Sequence, residues 1–149
     1  MDRRFGLFLL LVVLPLVLAA VPIDIRSDKM EVLEDQGLAI FTGHVVARKG
    51  DLHLWARKLY VYYSTANGTR EVKKLIALGE VRIEKGQWRS LSGKAVYFRQ
   101  EDRLVLEDHP RVWHGKDEVR GDLVIIYFRE NRSEVLSRGR PVEAYVYTD

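Results

Sequence analysis

Four histidines, His44, His53, His109 and His114, are the first residues to weigh for chemistry, because imidazole is the commonest metal ligand among side chains. His109 and His114 flank Trp113 and lie five residues apart. On an extended strand that spacing puts the two rings on opposite faces, so they form no ligand pair unless a bulge intervenes. The 21 acidic residues mostly alternate with the 24 lysines and arginines on what should be a solvated face. No two acids stand apart as a catalytic acid and base. The chain has no cysteine, which removes thiolate metal sites and disulfides. It also has no Gly-x-Ser-x-Gly, phosphate-loop or His-Glu-x-x-His motif. Trp55, Trp88 and Trp113, with seven tyrosines, suit either sugar-stacking platforms or cross-strand packing pairs. These residues describe a chain with no catalytic residues, no metal and no cofactor.

The net charge is +3, and basic and acidic residues are interleaved rather than blocked, so a nucleic-acid partner is not expected. At the N-terminus, Arg3-Arg4 precedes an uncharged run from Phe5 to Leu18, and Ala19-Ala20 supplies small residues for cleavage. Residues 1–20 therefore read as a secretory signal peptide, with an uncleaved membrane anchor as the alternative. Residues 21–149 then form one exported domain in either case.

From Ile23 onward the pattern is strand after strand, with no helical stripe. Leu75, Ala77, Val81 and Ile83 share one face while Glu80, Arg82 and Glu84 share the other. Turns are expected at Asp35-Gln36-Gly37, Lys49-Gly50-Asp51, Ala66-Asn67-Gly68, Glu84-Lys85-Gly86 and His114-Gly115-Lys116. These breaks imply many short strands. They also belong to a longer period. Gly43-His44-Val45, Gly79-Glu80-Val81 and Asp108-His109-Pro110 each lead, seven residues on, to Gly50, Gly86 and Gly115. A second small residue follows (Ala56, Gly93, Gly121), and then an alternating pair: Leu59 and Val61, Val96 and Phe98, Val124 and Ile126. A repeated β unit cannot bury its apolar face alone, so stacked units share one interior.

Four of these segments in order resemble the OstA-like (LptA) family of lipopolysaccharide transport domains. They are Ile23-Asp24-Ile25-Arg26-Ser27-Asp28, Phe41-Thr42-Gly43-His44-Val45, Ala77-Leu78-Gly79-Glu80-Val81 and Arg120-Gly121-Asp122. The similarity runs from Ile23 to about Tyr147. Asp108-His109 departs from it, standing where the family commonly has Gly-Asn. The resemblance implies an all-β, open, twisted β-jelly roll built from repeated short antiparallel strands, with an apolar interior groove. It further implies a periplasmic protein that shelters the lipid A acyl chains of lipopolysaccharide between the inner and outer membranes. Its partners would be the inner-membrane Lpt complex and the outer-membrane Lpt translocon, joined through terminal strands, with head-to-tail homo-oligomers as a further assembly. A membrane-anchored, LptC-like component of the same system and a secreted β-sheet carbohydrate-binding module are the alternative readings.

An acyl chain of about 14 carbons costs roughly 10 kcal/mol to expose to water, so a carrier needs a continuous dry lining. Alternation and repeat position point Ile23, Ile25, Phe41, Val45, Leu54, Leu59, Val61, Val81, Ile83, Leu91, Val96, Phe98, Val119, Val124 and Ile126 inward, with Tyr97 outward. By pattern alone the favoured reading is that these residues fill a closed core, as in most alternating β proteins. The resemblance makes them a lipid-binding lining. Ile23 to Arg26 and Pro141 to Tyr147 are expected to be uncovered sheet edges that pair with other chains.

Overall fold

Apolar alternation without helical periodicity leaves strand pairing as the only way to satisfy this backbone. The computed structural model describes residues 22–148 as twelve strands and one 3-10 turn. The strands are β1 (Asp24–Arg26), β2 (Lys29–Leu33), β3 (Leu38–Lys49), β4 (Leu52–Ala66), β5 (Thr69–Lys85), β6 (Trp88–Phe98), β7 (Arg103–Glu107), β8 (Arg111–His114), β9 (Asp117–Arg120), β10 (Leu123–Tyr127), β11 (Arg132–Leu136) and β12 (Glu143–Tyr145). Residues 1–20, read from sequence as a signal peptide or anchor, lie outside the described residues. Among those residues no helix is long and apolar enough to cross a membrane.

All five expected turns are present, and four of them are two-residue loops: Gly50-Asp51, Asn67-Gly68, Gly86-Gln87 and Gly115-Lys116. Gly50, Gly86 and Gly115 each open their loop at a φ near 59°, which glycine adopts freely and most other residues only at a modest cost. The strands between them are longer than the turns alone imply. β3, β4 and β5 run 12, 15 and 17 residues because each passes through a corner without breaking.

At those corners the pairing register slips, between Thr42 and Val45 on β3 and between Leu78 and Val81 on β5. Two successive residues take left-handed φ there: Gly43 and His44, then Gly79 and Glu80. The third corner, between β7 and β8, is made by Asp108 and His109 at φ 63° and 59°. Such bulges bend strands sharply, and here they fold one continuous sheet back on itself.

Two layers result, both antiparallel. Layer A orders β2, the first half of β3, the second half of β4, the first half of β5, the second half of β6, then β7, β10 and β11. Layer B orders β1 and the remaining halves of β3, β4, β5 and β6, then β8, β9 and β12. Residues of both layers share one apolar cluster: Phe41, Leu59, Ala77 and Leu106 from layer A meet Val45, Leu54, Val81 and Val112 from layer B. Neither layer closes into a barrel. Each ends on both sides in an edge strand paired along one side only, β2 and β11 in layer A, β1 and β12 in layer B. The architecture is therefore the open β-jelly roll expected.

Candidate functional site

The interior between the layers is built from inward-facing rows that cross every strand. In layer A, one row runs Met30, Phe41, Leu59, Ala77, Ala95, Leu106, Val124 and Val135, each directly opposite the next. The facing row of layer B runs Ile25, Ala47, Leu54, Ile83, Ser90, Val112, Val119 and Ala144. The burial along these rows is graded. Val81 and Leu106 at the centre are 0% exposed, whereas Met30 and Val32 on the edge strand are 55% and 39% exposed. The lining is thus sealed by its own side chains at mid-sheet and open to solvent where β2 ends it. Small residues recur on it (Ala39, Ala47, Ala56, Ala77, Ala95), which limits how far the two layers interdigitate.

Most residues read from sequence as lining take these positions. Phe41, Val45, Leu54, Leu59, Val61, Val81, Ile83 and Val124 are in the cluster, with Ile25 and Ile126 packed against it. Val119 shares the inward face through its pairing with Val112. Ile23, ahead of β1, is 39% exposed at the open edge.

Three residues are elsewhere. Leu91 is 40% exposed and sits opposite Arg82 and Arg111 on the outer side of layer B. Val96 and Phe98 lie on the outer side of layer A, opposite Ile76 and Lys74, with the Arg103 guanidinium 4.5 Å from the Phe98 ring. The cause is a one-residue offset in the repeat. Ser92, not Gly93, occupies the place of Ala56: both pair across from the corner, Ser92 with Val81 and Ala56 with Val45. Matching Gly93 to Ala56 shifts the rest of β6 by one, and a one-residue shift turns every side chain over.

The inward residues of β6 are consequently Ser90, Ser92, Ala95 and Tyr97. Tyr97, expected outward, packs against the interior cluster and donates its hydroxyl to Asp102 at 2.5 Å. Burial first, and then that hydrogen bond, push its pKa up to about 12. Sequence reasoning also passed over Leu104, Leu106 and Val112, which no repeat position had singled out, and Met30 and Val32 on the edge strand.

Two buried hydroxyls, on Ser90 and Ser92, face this interior without a hydrogen-bond partner among the described residues, and the charged groups surround it. His44 Nδ1 lies 2.7 Å from Asp28 Oδ2 and braces the first corner, and Arg57 donates to Glu80 at 2.7 Å across the second. His109 pairs with its neighbour Asp108, while the His114 ring packs on Trp88 at 4.4 Å. His53 meets Trp55 edge-on. Each histidine is therefore engaged locally, and among the described residues no three His, Asp or Glu side chains gather as a metal site. On layer B, Glu118 accepts hydrogen bonds from Arg120 at 2.6 Å and from Arg111 at 2.8 Å, and these bonds hold its carboxyl below the usual range.

The strands and their pairing define the class of fold: an open, two-layered β-jelly roll around one continuous, mostly apolar interior. The family model for the LptA/(LptD N-terminal domain) LPS transport protein matches residues 24–132. The chain belongs to that family of lipopolysaccharide transport proteins. Among solved structures it is similar to LptH from Pseudomonas aeruginosa, described as the LptA-homologous periplasmic component of the lipopolysaccharide transport device. The two share a TM-score of 0.76 at 16% identity, over 86% of this chain and 96% of that one. Among curated proteins it is 26% identical over 91 residues to an uncharacterized protein, R00383, of Rhizobium meliloti (strain 1021). That match covers 58% of this chain and about half, 49%, of the relative.

Proposed function

We propose that this protein is a periplasmic, non-catalytic carrier that holds the acyl chains of lipopolysaccharide between its two β layers and hands them on along a chain of partner domains. The observation that carries the reading is the graded interior: an apolar lining that crosses all the strands, is buried at the centre, and emerges into solvent at the edge. A lipid entering at Met30 and Val32 would meet apolar side chains at once, and to pass the centre it would part the layers where Val81 and Leu106 seal them. No nucleotide motif is present, so the work of directional movement comes from partners. Terminal strands β1 and β2 at one end, and β11 and β12 at the other, offer unpaired backbone for those partners.

Site-specific photocrosslinking to lipopolysaccharide tests this. A photoreactive residue replacing Val32 or Tyr97 on the inner face should capture the lipid, and one replacing Phe98 or Leu91 on the outer faces should not. Capture from outer positions alone, or from none with the chain folded, would overturn the internal-carrier reading. Capture of delipidated polysaccharide by the same positions would favour a sugar-binding module instead.

A further inference from the structure

Layer A is apolar on both of its faces, and the interior uses only one of them. Its outward residues Ile40, Tyr60, Ile76, Val96, Val105 and Ile125 lie directly opposite one another on six neighbouring strands. At about 4.8 Å per strand, this unbroken row runs roughly 24 Å across the outside of the protein. It ends at Glu31 on one edge strand and Glu134 on the other. No described strand lies over it, yet the row is not fully solvated: Val96 at its middle is 9% exposed and the other five residues are half-buried among their long neighbours. A solvated antiparallel face is ordinarily polar, so a continuous apolar row there marks an interaction surface.

The flanks of the row say what kind. Lys58 sits 5.2 Å from the Tyr60 ring, Lys74 4.7 Å from Tyr62, Arg103 4.5 Å from Phe98 and Arg132 4.1 Å from Tyr127. Lys94 adds another cation beside Leu78. Of these cations Lys94 pairs with Glu107 at 3.7 Å and Arg132 with Glu130 and Glu134, while Lys29 pairs with Glu31; Lys58, Lys74 and Arg103 face no acid partner among the described residues, so positive charge prevails. An aliphatic strip fenced by tyrosines and by long cationic side chains that can swing off their rings matches the boundary between lipid headgroups and acyl chains. The same charge argues against a second copy of this chain, because stacked sheets about 10 Å apart would set cation against cation.

We propose that the outer face of layer A docks on an anionic lipid bilayer, with the apolar row at the headgroup boundary and the flanking lysines and arginines on lipid phosphates. This surface is distinct from the internal lining, and its test contains no lipopolysaccharide. Because the chain has no cysteine, Val105→Cys or Leu91→Cys in the full chain takes an environment-sensitive fluorophore at a single site, on the outer face of layer A or of layer B. Each labelled protein is mixed with vesicles of phosphatidylcholine, with or without phosphatidylglycerol. A blue shift is expected at position 105 with the anionic vesicles only, reversed by salt, and none at position 91. The full chain keeps residues 1–20 in both proteins, so any membrane binding by that segment is common to the two labels. Ile125→Cys serves as a second reporter on the same face should Val105→Cys disturb folding. No shift at 105 and 125, an equal shift at 91, or an equal response to neutral vesicles would overturn the proposal. So would a shift that needs only higher protein concentration.

Discussion

Layers A and B share an interior but face the outside with different chemistry. Layer A turns out Ile, Val, Leu and Tyr, whereas layer B turns out arginines interleaved with acids and aromatics. In layer B, Trp55 lies opposite Arg82, Leu91 lies between Arg82 and Arg111, and Arg89 and Arg111 approach the Trp113 ring at 4.8 and 4.9 Å. Layer B is a conventional half-buried sheet whose outer face satisfies itself with stacked cations and ion pairs. Layer A is not: its outer face sets aliphatic and tyrosine side chains opposite one another across six strands. One wall only closes the interior; the other closes it and presents a second apolar surface.

The contrast is sharpest between Tyr97 on β6 and the half-buried, outward-facing Val105 on β7. Tyr97→Lys puts a charge into the shared interior and should cost about 2–4 kcal/mol, while Val105→Lys on the outside should cost about 1 kcal/mol or less. Denaturant midpoints compared at unchanged slope measure both, and equal losses would mean that the outer face of layer A is as buried as the inner. The corners come next. A Cβ on Gly93 would lie 1.8 Å from the Asp108 carboxylate, so Gly93→Ala should cost about 2 kcal/mol. Gly115→Ala in the open turn of layer B meets nothing but holds φ 58°, and should cost about 1 kcal/mol by the same measurement.

A smaller, pH-dependent effect ties the C-terminal edges of the two layers. The Asp122 carboxylate accepts the Arg138 and Arg140 amides at 2.6 and 3.0 Å, just after β11 and before β12. Those bonds hold its pKa below the usual aspartate value. Its stabilisation is therefore complete above the ordinary aspartate pKa and is lost as pH falls through the lowered folded value. The Arg138 and Arg140 amide resonances should shift together at that pH, and Asp122→Asn should abolish the titration. Smallest of all, Leu91→Lys on the outer face of layer B should change stability by no more than about 0.5 kcal/mol.

The same contrast explains what the sequence could disclose. Phase is readable where polar residues alternate with apolar ones, as in Val81-Arg82-Ile83-Glu84, and there the inward assignments match the structure. It is not readable in Ala95-Val96-Tyr97-Phe98, where both faces are apolar and either phase scores alike. The repeat had to decide instead, and a glycine matched to an alanine one place off chose the wrong face. Glycine-led turns were legible because their backbone demands so few residue types. The third corner was harder: Asp108 and His109 adopt left-handed φ without glycine, a conformation that composition does not advertise. The edge strand β2 was missed because Lys29-Met30-Glu31-Val32-Leu33 carries charges that read as surface, although Met30 and Val32 continue the lining.

The corners carry a consequence for how such a protein changes over generations. A single inserted residue inside a half-strand would turn a wall inside out, so lengths there are tightly held. A whole hairpin inserted between corners would leave every neighbour's phase intact and lengthen the trough by about two strand spacings, near 10 Å. The offsets from Gly50 to Gly86 and from Gly86 to Gly115 differ, and the difference is absorbed in the long arm of β4 and β5 beyond the lining, around Asn67-Gly68. Reach is therefore a property that duplication can adjust in whole steps, while the bore stays fixed.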